Sequence, residues 1–357
     1  PCWNSYTAAM IGDHCIAAIG DACIKDIRNF DIEKAYKAMR KNAFESPADD
    51  KDYKNGMGRR ALQSYLKYGY IPLEDSVPDA FHTKEQVSRT LEYAYDDFVL
   101  SQVAKLLQKE EDYNVLSARA QNYRNVIDPR TGYAQGRHAD GTFLKDQNAF
   151  QFTKFITEGA PCHYTWYVPH DPYGLMECMG GKEKFAMKLD SMFSEHRYWH
   201  GNEPCHQVAF MFNYTGEPWK TQQAVRHIME TEYLNAPGGL SGNDDAGQMS
   251  AWYIFASLGF YPVCPGSPYY ILASPSFPKA VIHLENGQTF TLKAENASKD
   301  NIYIQSVTLN GNPYSKNYIS HKDIVHGGEM IFKMDDTPNR DWGNSPTDCP
   351  PFLVKIP

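Results

Sequence analysis

Cysteine is scarce, with eight in 357 residues. That is too few to staple a chain of this length into a disulfide scaffold. Cys15 and Cys23 fall eight apart on one expected helix, too far along its axis to bridge. No Cys/His cluster has the ligand spacing of a zinc site. Cysteine usage thus leaves the redox compartment open. Positive charge is also short, with 35 Lys and Arg against 43 Asp and Glu and a net charge of −8. A nucleic-acid partner would call for a basic stripe, so that class is excluded. No run approaches 18 apolar residues, which leaves no transmembrane span. The opening Pro1-Cys2-Trp3-Asn4-Ser5-Tyr6 is neither a starting methionine nor a signal peptide and leads straight into a helical pattern. The expectation is a chain that begins inside a larger protein.

What is present is an ordinary globular composition, 42% hydrophobic, in a length that suits one large domain plus a smaller one. Aromatics stand at 13%, including 24 Tyr and 6 Trp, which suits either ligand-stacking surfaces or a Tyr-rich core. The first three-quarters read as ten or eleven helices separated by polar loops. Ile11, Cys15, Ala18, Ile19, Ala22 and Cys23 share one helical face. Asp31 is the expected N-cap of a helix from Ile32 to about Lys41. Arg59 to Lys67 is a short helix stopped by Gly69. Val87, Leu91, Ala94, Phe98, Val103 and Leu106 make an amphipathic stripe. Further helices are expected over 115–126, 182–193, 206–212, 220–232 and 247–258.

After Pro265 the period changes from helical to alternating. Val281–Leu284 and Thr289–Leu292 flank Glu285-Asn286-Gly287-Gln288, a hairpin signal. Val307–Leu309 before Asn310-Gly311, and Met330–Phe332, add further strands. The fold class expected is therefore mainly α: paired helices of (α/α) toroid type over 1–265, a plain bundle being the other option, then a β-sandwich-like module over 266–357.

Three loops concentrate polar groups that a core would reject. Glu158 stands beside Gly159 and Pro161, with Tyr164 and Trp166 close behind. Aromatic surroundings raise a carboxyl pKa and keep a proton ready to donate. A helix cap or a solvated loop acid explains Glu158 equally well. In His200-Gly201-Asn202-Glu203-Pro204, adjacent amide and carboxylate oxygens suit a hard cation such as calcium. By themselves these two residues fit a capped turn better. In Gly242-Asn243-Asp244-Asp245-Ala246-Gly247-Gln248, two adjacent carboxylates repel unless water, a cation or a substrate compensates. Acids at a helix start are the plain alternative, yet with Gln248 and Trp252 the loop looks more like a sugar site. Asp13 and His14, read as part of the first helix, are either sugar-hydroxyl ligands or a salt-bridged core pair, the first being preferred.

Five blocks carry a resemblance. They are Met10–His14, Leu91–Asp97, Tyr164–Trp166 with Pro169-His170-Asp171, Gly201–Pro204, and Gly242–Tyr253 through Gly259–Pro262. In order and spacing, from Trp3 to about Trp342, they resemble glycoside hydrolase family 92. The resemblance implies an (α/α)6 toroid, its first helix missing here, packed with β-sandwich modules. It also implies calcium at the sugar, and removal of terminal α-linked mannose by exo-hydrolysis with inversion. Glu158 resembles the general acid and Asp245 the general base, with Asp244 and Asn243 holding the attacking water. Asn202 and Glu203 resemble the calcium ligands. Asp13, His14, His163 and Trp166 would line the −1 subsite, and Tyr198, Trp199 and His200 are candidates for the +1 subsite.

The partners implied are mannose-containing glycans of N-glycan or yeast-mannan type, and the family's N-terminal β-sandwich portion. The location implied is periplasmic or extracellular. Without that portion the chain is expected to be weakly soluble and nearly inactive. A glycoside phosphorylase would not need Asp245 and its acidic neighbour. A non-catalytic mannan-binding module would have lost Glu158 or Asp245.

Overall fold

A computed structural model describes residues 10–54, 57–78 and 80–354; the opening Pro1–Tyr6 lies outside them. The chain divides into two compact units, residues 10–181 with Pro265–Ser267, and Lys182–Cys264 with residues 268–354.

The first unit holds helices α1 (Cys15–Ile24), α2 (Ile32–Phe44), α3 (Asp50–Lys54), α4 (Leu62–Tyr68), α5 (Gln86–Leu106), α6 (Glu110–Arg119), α7 (Pro161–Tyr164) and α8 (Pro172–Cys178). A short ribbon pairs β1 (Ile127–Asp128) with β2 (Tyr133–Ala134). Asp31 caps α2 as expected, accepting from the Lys34 amide at 2.9 Å. Gly69 ends α4 at φ 71°.

Two helices depart from their expected faces. α1 starts after His14, so Ile11, Asp13 and His14 precede it rather than belonging to it. Its buried face is Ile16, Ala17, Gly20 and Cys23, while Cys15 and Ala18 are exposed. Gly20 decides this rotation. A Cβ there would lie 2.2 Å from Val99 Cγ1, so α1 presses its smallest residue against α5. α5 carries no simple stripe. It is buried on every side, exposing part of its surface only at Gln102, Lys105 and Leu106. Helices buried all round are usually apolar; this one also encloses Arg89, Glu92, Asp96 and Asp97. The expected helix over 115–126 is divided into the end of α6 and a 3-10 turn over Asn122–Val126.

The second unit holds α9 (Lys182–Ser194), α10 (Pro218–Thr231), α11 (Gln248–Leu258) and α12 (His321–Val325). The helix expected over 206–212 is instead 3-10 structure, Glu203–Cys205 and Val208–Thr215. Eight strands follow: β3 (Phe260–Tyr261), β4 (Tyr269–Leu272), β5 (Lys279–His283), β6 (Thr289–Glu295), β7 (Tyr303–Leu309), β8 (Asn312–Pro313), β9 (Tyr318–Ser320) and β10 (Gly328–Asp335). One sheet has the order β5-β6-β10-β7-β8, with β10 parallel to β6 and antiparallel to β7. The other is β3-β4-β9. The expected hairpin is present, as β5 pairs with β6 and the Leu284 amide reaches Gln288 O at 3.0 Å. Asn310 and Gly311, at φ 51° and 79°, turn β7 into β8. Both sheets feed one core: Phe290, Leu292, Val307, Met330 and Phe332 from the five-stranded sheet, Phe260, Leu272 and Ile319 from the three-stranded one. The change of period near Pro265 thus marks real strands, while the compact units part after Gly181.

Candidate active site

Glu158 lies on a loop stitched to the start of α5. The Phe155 carbonyl accepts from Val87 N at 3.1 Å, and Ser88 Oγ accepts from Thr157 N at 2.9 Å. Glu85 holds Thr157 Oγ1 at 3.0 Å and His82 Nδ1 at 3.0 Å. These contacts present Glu158 with its side chain 52% exposed and His82 Nε2 at 3.8 Å. Its backbone is left-handed at φ 47°, which is costly for a residue with a Cβ. Of the aromatics that follow, Tyr164 and Trp166 are buried, while Glu158 is half exposed. His163 turns back on the same loop, Nδ1 accepting from Ala160 N at 3.2 Å.

Asp13 and His14 meet α5 at a charged network. Asp13 N donates to Asp96 Oδ2 at 2.9 Å, and its carboxylate takes Asn42 Nδ2 at 3.3 Å and Arg59 Nε at 3.4 Å. His14 Nε2 contacts Glu92, whose other oxygen accepts from Tyr164 OH at 2.8 Å. Deeper in, Asp97 takes Arg59 Nη1 at 2.7 Å, Arg119 Nε at 2.8 Å and Tyr65 OH at 3.0 Å. Burial, offset in part by the His14 and Arg59 charges and reinforced by Asp13, pushes Asp96 up to about 7. Burial raises Asp13 as well, against the Arg59 charge. Lost solvation would lower the His14 pKa, but Glu92, helped by Asp96 and Asp13, raises it to about 9. His14 keeps 43% of its side chain exposed, so this charged ring reaches the surface. His170 and Asp171 of the signature block are scaffold. His170 Nε2 donates to Ala120 O at 2.9 Å, and Asp171 caps α8 through Gly174 N at 2.9 Å.

In the second unit two loops touch through their backbones. A Cβ on Gly242 would lie 2.3 Å from Gly201 O, and one on Gly201 would lie 2.6 Å from Ser241 O. Glycine is required at both positions for this approach. The contact brings the segment with Asn202 and Glu203 against the segment with Asn243, Asp244 and Asp245. Asn202 is buried at the start of a 3-10 turn, its carbonyl accepting from Cys205 N at 3.0 Å. The two adjacent acids divide their work. Asp244 Oδ1 accepts from Ser250 N at 3.1 Å and Ser250 Oγ at 2.8 Å, so it caps α11. Asp245 is exposed; its carbonyl accepts from Gln248 N at 3.4 Å, and its carboxylate stays out of the Ser250 bonds. Asp245, Ala246 and Gly247 are left-handed in succession, at φ 45°, 59° and 101°. Asn243 is exposed beside them.

Behind these loops lies a neutral histidine pair. His200 and His206 stack with centroids 4.6 Å apart, and Trp252 meets His200 edge-on at 4.4 Å. The hydrogen bonds fix the proton positions. Tyr233 OH donates to Met249 O at 3.0 Å, so it accepts from His200 Nε2 at 2.6 Å; His200 Nδ1 then accepts from Tyr198 OH at 2.7 Å. His206 Nε2 donates to His200 O at 3.1 Å, leaving Nδ1 to accept from Gln248 Nε2 at 3.3 Å. Burial pushes His200 down to about 2, with His206 adding to it. Burial pushes His206 down to about 4, against the nearby Asp245 charge. Only 1% of His200 is exposed, so the structure gives this +1 candidate a place behind the loop.

The residues expected from sequence therefore fall into two groups. Glu158, Asp13, His14, His163 and Trp166 belong to the first unit; Asn202, Glu203, Asn243, Asp244 and Asp245 belong to the second. Sequence reading missed His82 and Glu85 behind Glu158, and Glu92, Asp96 and Arg59 behind His14. For the acids the available signal was two carboxylates on helix positions otherwise flanked by core residues. Among the described residues no group of three His, Cys, Asp or Glu side chains is arranged to hold a metal. No described helix is long and apolar enough to cross a membrane.

Loop carboxylates and an amide–carboxylate oxygen pair are residue types that glycoside hydrolases use. Residues 1–336 match the glycosyl hydrolase family 92 catalytic domain, and the chain belongs to that family. It is 30% identical over 368 residues to an uncharacterized secreted glycosidase of Arthroderma benhamiae, a match covering 96% of this chain and 47% of the relative. Among solved structures it resembles the GH92 α-mannosidase BT3965 of Bacteroides thetaiotaomicron, at 40% identity and a TM-score of 0.87 over 96% of this chain and 45% of that one. The same enzyme is also known in complex with mannoimidazole. The GH92 inverting mannosidase BT2199 of the same organism matches at 35% identity and a TM-score of 0.90, over 98% of this chain and 49% of that one. The chain thus spans about half the length of these relatives.

Proposed function

We propose that the protein acts as an exo-α-mannosidase, removing terminal α-linked mannose from glycans with inversion and with calcium at the sugar. The observation that carries this reading is the pair of touching loops in the second unit. There the oxygen pair Asn202 and Glu203 meets the segment bearing Asp245 on a backbone only glycine allows. The likeness to α-mannosidases, one of them bound to mannoimidazole, supports the choice of sugar.

In this reading Glu158 is the general acid and Asp245 the general base. Inversion needs the two carboxyls about 6.5–9.5 Å apart, with one water between the base and the sugar. Asp245 takes a proton from that water as its oxygen bonds to the anomeric carbon. The glycosidic bond breaks on the opposite face, and Glu158 gives its proton to the departing oxygen. Asp244 holds the loop through its cap, and Asn243 helps orient the water. Asp13, His14 and His163 border the −1 subsite, with Trp166 as its backing.

An oxygen-only pair on a rigid turn fits a hard cation and offers nothing to a soft one. Asn202 and Glu203 would hold calcium, with sugar hydroxyls and water completing its shell. Held there, a calcium ion would supply Lewis-acid polarisation of sugar hydroxyls. The wider reading includes an (α/α)6 toroid, N-glycan or yeast-mannan substrates, the family's N-terminal β-sandwich portion as partner, and a periplasmic or extracellular location. The secreted relative supports the last of these.

Proton NMR during early turnover of an aryl α-mannoside tests the reading. β-Mannose is expected first; α-mannose first would overturn inversion, and no mannose at any calcium level with the N-terminal β-sandwich portion present would overturn the activity. Calcium should raise the Tm of the wild type and not of Glu203→Gln. Recovery of a chelated sample by zinc alone would overturn the metal assignment.

A further inference from the structure

A cleft of about 520 Å³ opens within the second unit, and none of its lining residues belongs to the two touching loops. Its floor is one face of α10, where Trp219, Gln223, Arg226, His227 and Glu230 follow one another along the helix. From Trp219 to Glu230 that face runs about 16 Å. Phe193 of α9 forms part of a wall. The volume is that of a small-ligand site, for which about 300–1,000 Å³ is usual. A helix normally turns its charged face to open water. Here Gln223, His227 and Glu230 face solvent as usual, while Arg226 at the edge of the face is only 8% exposed.

Three cations line the cleft, and two of them are already engaged, leaving Lys299 against the two lining acids. Lys220 Nζ is already neutralised by Asp190 at 2.8 Å and Glu217 at 2.9 Å. Arg226 spends its guanidinium on two carbonyls, Pro275 O at 3.1 Å and Ser298 O at 2.8 Å. Asp190 and Glu230 would repel a phosphate or sulfate. What the cleft offers instead is the Trp219 indole, braced by Arg340 at 5.0 Å from its centroid, together with the Phe193 ring. Alongside these stand an amide, an imidazole and a carboxylate. Such a mixture suits a neutral polyol, whose C–H face packs on an aromatic ring while its hydroxyls both donate and accept.

We propose that this cleft is a second carbohydrate site, holding internal sugars of an α-mannoside chain apart from the site of cleavage. The identity of the sugar rests on the α-mannosidase reading; the polyol chemistry rests on the cleft.

Calorimetry of α-mannan binding, run beside kinetics on an aryl α-mannoside, tests it. Trp219→Ala should weaken mannan binding about 5- to 10-fold and leave kcat/KM on the aryl mannoside unchanged. Glu230→Ala, at an exposed position that tolerates truncation, should weaken mannan binding about threefold with Tm unchanged. Mannan binding unaltered in both variants would overturn the second site, as would displacement of mannan by inorganic phosphate. A wild type that, with the N-terminal β-sandwich portion present, fails on every aryl α-mannoside yet binds mannan, more weakly as Trp219→Ala, would sink the activity and support the cleft.

Discussion

The two units hold their histidines in opposite charge states. In the first, His14 touches Glu92 and lies 3.8 Å from Asp96, and its pKa is raised to about 9. In the second, His200 and His206 stack among tyrosines and Trp252, and their pKa values fall to about 2 and about 4. His14 and His200 both sit in short motifs that hold a glycine within two residues, Gly12 and Gly201. Carboxylates from α5 charge the first, while burial among aromatic rings keeps the second neutral. The neighbours delivered by the fold set the charge, and the motif does not. A charged network loses more than a neutral one when a single member is removed.

The largest expected effect falls on chemistry. Asp245→Asn should lower kcat on every α-mannoside by about 10²–10⁴-fold, the usual worth of a general base. Because Asp245 is exposed and its carboxylate stays out of the Ser250 bonds, its loss should change stability by no more than about 0.5 kcal/mol. Near-normal rates on an activated aryl mannoside would remove Asp245 from the mechanism. Next comes the charged network. Asp97→Ala leaves Arg59 and Arg119 without their shared carboxylate and should cost about 3–5 kcal/mol in urea unfolding. His200→Leu in the neutral network takes the acceptor from the Tyr198 hydroxyl and the donor from Tyr233, and should cost about 1–3 kcal/mol. Equal losses from the two variants would break the comparison.

The pH dependence should also have opposite signs. His14 binds its proton more tightly in the fold than at its ordinary 6.5, so its contribution is complete below pH 6.5 and is lost as pH rises toward about 9. Asp96, raised from 3.8 to about 7, acts in the same direction over that lower window, because burying its ionised form weakens the fold. His200 and His206 are depressed, so their contribution is present above pH 6.5 and is lost as pH falls toward about 4 and below. Hydrogen exchange, corrected for its intrinsic pH dependence, should show α5 loosening toward alkali and the His200–His206 segment loosening toward acid. Slopes of one sign in both segments would sink this account.

Much of the fold was legible where local chemistry decides it. Asp31, Gly69, the β5–β6 hairpin and the Asn310-Gly311 turn all follow from side chains acting on their own backbone. What stayed hidden depends on contacts distant in sequence. α5 reads as an amphipathic stripe because its polar side looks solvated. In the fold that side meets Arg59, Arg119 and His14. The face of α1 was misread because Gly20 counts for nothing on a hydrophobicity scale yet sets how closely α1 approaches Val99. At the candidate site, sequence marked the loops that carry the carboxylates. It could not separate Asp244, whose carboxylate caps α11, from Asp245, whose carboxylate does not, because adjacent acids look alike until the Ser250 bonds are drawn.

The smallest expected effect compares the two units at their helix caps. Asp31 gives α2 one bond, to Lys34 N, from an exposed position. α2 runs 13 residues and is also tied down by Arg40 on Asp112 at 2.7 Å and by its buried Tyr36, Met39 and Ala43. Fraying its first turn leaves those contacts standing. Ser320 instead caps α12 reciprocally. Its Oγ accepts from Asp323 N at 3.2 Å and donates to Asp323 Oδ2 at 2.6 Å, while its own amide reaches the same carboxylate at 3.2 Å. α12 has only five residues, so its first turn is nearly the whole helix, and it carries Ile324 into the core shared by the two sheets. Each cap is worth about 1 kcal/mol. Ser320→Ala should therefore cost more than Asp31→Ala in urea unfolding, by about 0.5 kcal/mol, since uncoiling α12 also exposes Ile324. A larger loss for Asp31→Ala would mean that α2 depends on its cap more than on its packed face.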